Sequence, residues 1–377
     1  MVQVFVRLLQ KSQRFVVFLY NLQIRARMLQ NIKQLSKEQL VSFVLSVGQP
    51  KFRASQIYSW LWIKHAKSFE DMSDLPLNLR QTLAENFYLH IPRPIVTQQS
   101  ADGSRKYLLE LADKTTVECV GMPSLSKADK LSICVSSQAG CAMRCSFCAT
   151  GKSGLIRSLT ADEIYEQAQY IIDDFGMRAS NIVFMGQGEP FTNYRETLRT
   201  LRLFNARDGL GIGARHLTVS TCGIIPMIRK FATEPEQFTL AVSLHSAVQK
   251  TRDELMPGVK QFKLTQLKEA LQDYAEKTGR RPSYEYALIG GVNDTDEEIS
   301  ALCDFTRGTL VHVNFIMLNE IDDSPFKPST PERAQLFIKR LARVGVEATI
   351  RNSRGSDIDA ACGQLKQKSV ARGKAQG

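Results

Sequence analysis

No stretch near the N-terminus is apolar for long enough to cross a bilayer. The run Phe15 to Tyr20 is six residues, against the ~20 that a spanning helix needs. Acidic residues are absent from the first 27 positions, which hold five Lys or Arg. No small-residue cleavage site clearly follows the apolar run, which argues against a leader peptide. The expectation is that Met28 is the natural start and that 1–28 is an extension; without it the net charge falls from +11 to +6 (11 minus 5). Cysteine is sparse, with eight in 377 residues, which excludes a secreted disulfide scaffold and favours a reducing, cytoplasmic setting. Histidine is scarcer still, with five. The first one after Cys148 is His216, so a zinc site built on the cysteines near 141–148 has no histidine close by in sequence.

What is present is ordinary in bulk and unusual in detail. Hydrophobic residues at 43% and charged residues at 23% are normal globular values. A chain of 377 residues can bury one large core beside a smaller domain. A net charge of +11 and a pI near 9.3 favour a polyanionic partner such as nucleic acid.

The decisive motif is Cys141-Ala-Met-Arg-Cys145-Ser-Phe-Cys148, a C-x3-C-x2-C spacing followed by Ala-Thr-Gly. A [4Fe–4S] cube normally takes four thiolates; three from one loop leave one iron with an open position. The spacing resembles the cluster loop of the radical S-adenosylmethionine (SAM) enzymes, in which SAM chelates that iron.

Coarse periodicity supports the fold this implies. Residues 29–100 read as a small helical module. Ser36 and Gln39 form a capping-box pattern, followed by Leu40, Phe43, Val44 and Val47 at helical spacing. Further helices are expected near 54–64 and 77–87. Lys51, Arg53, Trp60, Trp62, Lys64 and His65 mix aromatics and cations as RNA-binding surfaces do, although the rings also suit a core. Residues 101–127 read as a hairpin linker, with strands at 106–111 and 115–120. From 128 to 365 apolar strands alternate with helices. The strands are expected at 131–136, 181–185, 216–220, 239–244, 283–289, 311–316 and 347–351. Such repetition implies a parallel sheet, and six or so units are too few for an eightfold barrel. The fold class is therefore α/β, an open six-stranded partial barrel of the TIM type with a helical accessory domain. Residues 366–377 read as a solvated basic tail.

In such folds chemistry lies beyond the C-terminal strand ends. The cluster loop follows the first strand, Gly186-Gln187-Gly188-Glu189-Pro190 the second, Ser220-Thr221-Cys222-Gly223 the third and Ser243-Leu244-His245-Ser246 the fourth; Asn319 follows the sixth. For bound SAM, the turn at Gly188 lets backbone approach closely and Glu189 accepts from the ammonium. Ser220, Ser243 and His245, with Leu244 between the last two, offer groups to the ribose and carboxylate, and Asn319 to the adenine edge. The triple glycine Gly209-Leu-Gly211-Ile-Gly213 opens no helix and reads as a loop.

Two lone cysteines complete the pattern. Cys134 on the first strand, the cluster loop, the Gly-Glu-Pro turn, Ser-Leu-His and the ending Asp357-Ile-Asp-Ala-Ala-Cys362-Gly-Gln-Leu resemble the RlmN/Cfr family of radical SAM RNA methyltransferases over residues 29–365. The resemblance implies that Cys362 is methylated by one SAM. A second SAM, cleaved at the cluster, gives a radical that takes hydrogen from the S-methyl group, and the carbon radical adds to an adenine ring carbon. Cys134 then helps remove the ring proton and resolves the protein–RNA link as a transient disulfide with Cys362. Glu118 matches the family's proton acceptor. Pro190 resembles the carbon-2 enzymes, whereas the carbon-8 resistance enzymes carry Ala there; Gln187 stands where Met is usual in both. The implied substrates are an adenine of 23S rRNA at the peptidyl-transferase centre and the tRNA adenine next to the anticodon. An electron donor such as flavodoxin or ferredoxin and a monomeric state are also implied. A radical SAM activase of a partner protein shares the cluster loop but has no need of Cys134 with Cys362. Cys119, Cys222 and Cys303 read as packing residues.

Overall fold

The computed structural model describes residues 29–127, 129–321 and 324–365. The proposed extension 1–28 and the basic tail 366–377 lie outside the described residues. The described chain forms two compact units that part between Ile91 and Pro92.

In the first unit β1 (Gln30–Asn31) precedes α1 (Lys37–Ser46), α2 (Phe52–Trp62) and α3 (Leu77–Asn86). The last helix leads into β2 (Phe87–Tyr88), which pairs parallel with β1. The capping box expected at Ser36 is present. Ser36 Oγ accepts from the Gln39 amide at 3.2 Å, and Gln39 Oε1 accepts from the Ser36 amide at 2.7 Å, satisfying two orphan donors of α1. Leu40, Val44, Ile57, Leu61, Leu79 and Leu83 form the core. The two tryptophans divide: Trp62 is buried among them, whereas Trp60 donates to Asp74 at 2.6 Å with Lys64 Nζ 3.9 Å from its ring centre.

The second unit is built on one ten-stranded sheet. It opens with three antiparallel strands, β3 (Arg93–Gln99), β4 (Arg105–Glu110) and β5 (Thr116–Pro123). β5 then pairs antiparallel with β6 (Leu131–Cys134). A short hairpin, β7 (Gln138–Gly140) and β8 (Leu155–Ser158), with α4 (Ala149–Ser153) between its strands, carries the cluster loop. From β6 the sheet is parallel, through β9 (Ala179–Phe184), β10 (Leu217–Thr221), β11 (Thr239–Ser243), β12 (Ser283–Leu288), β13 (His312–Met317) and β14 (Glu347–Arg351). The connecting helices are α5 (Ala161–Phe175), α6 (Tyr194–Asn205), α7 (Ile225–Phe231), α8 (Gln249–Leu255), α9 (Leu264–Thr278), α10 (Asp296–Thr306) and α11 (Pro331–Arg343). These make six βα units, with β14 as a seventh parallel strand at one edge. β14 and β3 are the two ends of the strand order, so the sheet is open, as expected from the number of units.

The helical module is shorter than the 29–100 expected. Residues 93–99 form β3, whose side chains are almost all exposed. An edge strand reading Arg-Pro-Ile-Val-Thr-Gln-Gln carries too little buried alternation to stand out from its flanks. The expected hairpin at 106–111 and 115–120 is β4 and β5, but as part of the main sheet rather than a separate linker. The triple-glycine stretch at 209–213 is irregular, as read.

Candidate active site

The loop of three cysteines begins where β7 ends. Gly140 has φ +76°, and a Cβ there would lie 2.0 Å from the Gly154 carbonyl, so only glycine lets the hairpin close this tightly. The Cys141 amide donates to Gly154 O at 2.8 Å and the Cys148 amide to Cys145 O at 3.1 Å. Two bonds from the α8 region steady the loop: Ser146 N donates to Leu255 O (2.9 Å) and Gly258 N to Met143 O (3.0 Å).

All three thiol-bearing residues line one open cavity of about 920 Å³. Burial pushes Cys141 up to about 12 and Cys148 up to about 11, so both are protonated in the absence of a bound cation. Among the described residues no three His, Cys, Asp or Glu side chains converge closely enough for a single ion. Three thiols from one loop, facing one cavity, suit the wider donor set of a [4Fe–4S] cluster.

Most of the expected SAM-binding residues line the same cavity: Gly188, Glu189, Ser220, Ser243, His245 and Asn319. Gly188 has φ +99°, and a Cβ there would lie 2.5 Å from that of Gln138. Glu189 is buried, its two carboxylate oxygens accepting from the amides of Phe191 (2.9 Å) and Cys222 (2.6 Å). Burial raises its pKa despite those bonds. The side chains of Thr221 and Cys222 also lie against it, and a cationic amine is the partner that relieves a desolvated carboxylate.

His245 sits in the left-handed region, φ 55°. Its Nδ1 accepts from the Ala287 amide at 2.9 Å, and burial, helped by Arg252, lowers its pKa to about 3. The ring is therefore neutral, with its proton on Nε2 as a donor. Leu244 is buried and does not line the cavity; its amide donates to Glu285 O at 3.0 Å. Asn319 donates from Nδ2 to the Cys362 carbonyl at 3.2 Å, so it positions the Cys362 loop as well as facing the cavity.

Cys362 lines the same cavity, 214 residues after Cys148 in the chain (362 minus 148). It also lines a second cavity, whose walls include Cys134, Met185, Arg351 and Arg354. The segment carrying Cys362 is fastened along its length. Arg354 Nε donates to Asp102 Oδ2 at 2.6 Å, Ser100 Oγ to Asp357 at 2.6 Å, Lys106 Nζ to Asp359 O at 3.2 Å and Thr150 Oγ1 to Leu365 O at 2.6 Å. The Ala149 amide donates to Gly363 O at 2.7 Å, tying the segment to the cluster loop itself.

Glu118 lines neither cavity. It is buried, 3.6 Å from Lys106 Nζ, and its Oε2 accepts from Gln187 Nε2 at 3.2 Å. The unusual Gln187 is thus a partner of Glu118, a role methionine could not fill. Three roles escaped the sequence reading. Cys222, read as a packing residue, lines the cavity together with Cys145; its place in the 220–223 motif was the available signal. Arg252 is fully buried and donates to the carbonyl of Cys222 at 2.7 Å. Asn293 holds the strained His245, donating to its carbonyl at 2.6 Å and to that of Ala287 at 2.7 Å. Neither Arg252 nor Asn293 carries a local signal, because each acts across the fold.

Comparisons with known proteins agree with this arrangement. The radical SAM superfamily model matches residues 135–306, and that of the ribosomal RNA large subunit methyltransferase N-terminal domain matches 30–89. A "Probable dual-specificity RNA methyltransferase RlmN" of Clostridium perfringens (strain 13 / Type A) is 43% identical over 343 residues, 91% of this chain and 98% of that protein. The protein of the same name from Flavobacterium psychrophilum is 42% identical over 344 residues, covering 90% and 98%. The crystal structure of a radical SAM methyltransferase from Sphaerobacter thermophilus superposes with a TM-score of 0.84 at 40% identity, over 89% of this chain and 99% of that one. The chain belongs to the RlmN family of radical SAM RNA methyltransferases.

Proposed function

We propose that the protein methylates carbon 2 of an adenine in 23S rRNA, at the peptidyl-transferase centre, and of the tRNA adenine next to the anticodon, carrying the methyl group on Cys362. The observation that carries this reading is the placement of Cys362. It lines the cluster cavity on one side and the cavity shared with Cys134 on the other. A residue that is loaded at one site and resolved by a second thiol needs both neighbours.

Cys141, Cys145 and Cys148 would hold three irons of the cluster. Glu189 would receive the ammonium of SAM, with His245 Nε2–H, Ser220 and Ser243 as further contacts. When bound and reduced, the cluster and SAM supply the radical chemistry that an electrophilic adenine carbon requires. The chain's own part is to bear the S-methyl group on Cys362 and to release the product through Cys134. Glu118, fixed by Lys106 and Gln187, is the proton acceptor that the family pattern assigns. Pro190, which opens the turn Pro190–Asn193 just after Glu189, supports carbon 2 over carbon 8, and the dual-specificity name of the relatives supports both RNA substrates. The setting is cytoplasmic, with a flavodoxin or ferredoxin as electron donor and the chain acting as a monomer; among the described residues no helix is long and apolar enough to cross a membrane.

The test is anaerobic incubation of reconstituted protein with methyl-labelled SAM, dithionite and rRNA or tRNA, followed by mass spectrometry of the nucleosides. Labelled 2-methyladenosine is expected. Labelled 8-methyladenosine would assign the chain to the carbon-8 branch, and cleavage of SAM without any RNA product would favour an activase.

A further inference from the structure

The cavity between Cys134 and Cys362 contains a cation whose purpose the reading above does not supply. Arg351 is the last residue of β14, paired in register with Ile316 of β13, and it lines the cavity with both cysteines. Much of the remaining wall is apolar: Met122, Met185, Ile316, Ala360, Ala361 and Leu365. The other guanidinium there, Arg354, is held in an ion pair with Asp102. It donates to the Asp102 carboxylate at 2.6 Å and to the carbonyls of Asp102 and Pro123, each at 2.9 Å. Among the described residues the side-chain hydrogen bond of Arg351 runs from Nη1 to the Met185 thioether sulfur at 3.3 Å, a weak acceptor. A guanidinium has five N–H donors, so Arg351 reaches this cavity with donors to spare.

A thiol in an apolar cavity is a poor nucleophile because burial disfavours its charged form. Burial pushes Cys134 up to about 12, the Cys362 thiol adds to this, and Arg351 opposes it. The other titratable group against Cys134 is the buried Cys119 thiol of β5. Around these, Glu118 is paired with Lys106 and Gln187 and Arg354 with Asp102; the Glu285 carboxylate, whose charge reaches Arg351, accepts from Asn314 at 2.9 Å and Ser283 at 3.0 Å at one oxygen and from no described residue at the other. The cation available to a Cys134 thiolate is therefore Arg351.

We propose that Arg351 is the positioning residue for the resolving step: its guanidinium stabilises the Cys134 thiolate as it attacks the Cys362 sulfur. This rests on the reading of Cys134 and Cys362 as a resolving pair. The Cys134 proton leaves first, to solvent. The thiolate then forms an S–S bond to Cys362 while the bond from that sulfur to the RNA-linked methylene carbon breaks. The carbon keeps the electron pair and takes a proton to become the methyl group. The two sulfurs are oxidised to a disulfide, the carbon is reduced, and a small-molecule thiol later returns the pair to the dithiol. Arg351 exchanges no proton.

The test reads the thiol directly and needs no turnover. Full-length, cluster-loaded protein is treated anaerobically with iodoacetamide at pH 7 to 10, and the rate of alkylation at Cys134 is followed by residue-resolved mass spectrometry. With Arg351→Met the rate at pH 8 is expected to fall about tenfold, the profile moving up by about one pH unit. With Arg351→Lys, which keeps the charge, the rate should stay within about threefold of the parent. Equal rates in parent and Arg351→Met would overturn the proposal. So would a loss of rRNA affinity in Arg351→Met with Cys134 labelling unchanged, because Arg351 would then be a nucleic-acid contact. If Arg351→Met unfolds, the Lys variant decides: a tenfold or greater drop there also overturns it. Failure of the resolving-pair reading appears elsewhere, as normal RNA turnover by Cys134→Ala, and does not depend on the labelling rates.

Discussion

The cluster loop and the segment carrying Cys362 meet in one cavity but are built in opposite ways. The loop closes largely on itself, Cys141 bonding to Gly154 and Cys148 to Cys145 within one short hairpin, with two further bonds to the α8 region. The segment from Arg354 to Leu365 is held from afar, by Asp102, Ser100 and Lys106 at one end and by Ala149 and Thr150 at the other. Cys362 is itself exposed, whereas Cys141 is buried. The difference suits the tasks proposed for them, since a cluster has to be sheltered and a methyl carrier has to reach RNA.

The sharpest way to break this comparison is to remove one thiol from each region. Cys145→Ala should lose the cluster, with bound iron falling from about four per chain to near zero. Cys362→Ala should keep the iron and the brown colour. Both should lose RNA methylation completely. Iron analysis with nucleoside mass spectrometry separates the two, and a cluster-free Cys362→Ala would mean the segment also builds the cluster site.

A second expectation concerns the thiol between the regions. Cys134→Ala should still charge Cys362 and still join it to the adenine, but it should not release the product. A covalent protein–RNA species should accumulate, seen as a ribonuclease-sensitive shift on a denaturing gel, and Cys134→Ala/Cys362→Ala should show none.

The clamp at Asp102 should give a smaller effect. Burial by itself would raise the Asp102 carboxyl, but bonds from Arg354 and from the amides of Ser104 and Gly355 outweigh it and hold the group well below the usual carboxylate range. Because its folded pKa is depressed, its stabilisation is full above the unfolded value of about 3.9 and fades as pH falls below that. Asp102→Asn should therefore destabilise the fold at pH 7 by about 1–3 kcal/mol, and the difference from the parent should shrink below pH 4. Denaturant melts at both pH values measure this. Iron content should not change, because the cluster loop does not use the clamp.

Smallest should be a change in the frame that belongs to neither region. Thr330 caps α11, its Oγ1 accepting from the Arg333 amide at 3.3 Å. Thr330→Ala should cost about 1 kcal/mol with methylation intact, and a larger loss of activity than of stability would show that α11 does more than support the sheet.

The order of strands and helices, the capping box at Ser36 and the cluster loop were all legible because each depends on residues close in the chain. Hydrophobic period reports burial locally, and three cysteines within eight positions can meet whatever the rest of the chain does. The polar edge strand β3 was not legible, since its place depends on pairing with β4. The partners of Glu118 were equally hidden. Gln187 stood out as an odd residue in its motif, but only the folded sheet brings it 3.2 Å from that carboxylate.

The sequence by itself thus singled out residues that the fold gathers around two cavities: the three cysteines of the loop, Glu189 and the serine and histidine motifs at strand ends, and the two lone cysteines. Only the tertiary structure decided which of them share a wall. It brought Cys362 to both cavities, added Arg351 to the wall that holds Cys134, and bonded Arg252 to the Cys222 carbonyl and Asn293 to that of His245. The physical reason is the same for each. A contact between residues hundreds of positions apart is set by sheet pairing and by many bonds acting together, and no one of those bonds leaves a pattern in the neighbouring sequence.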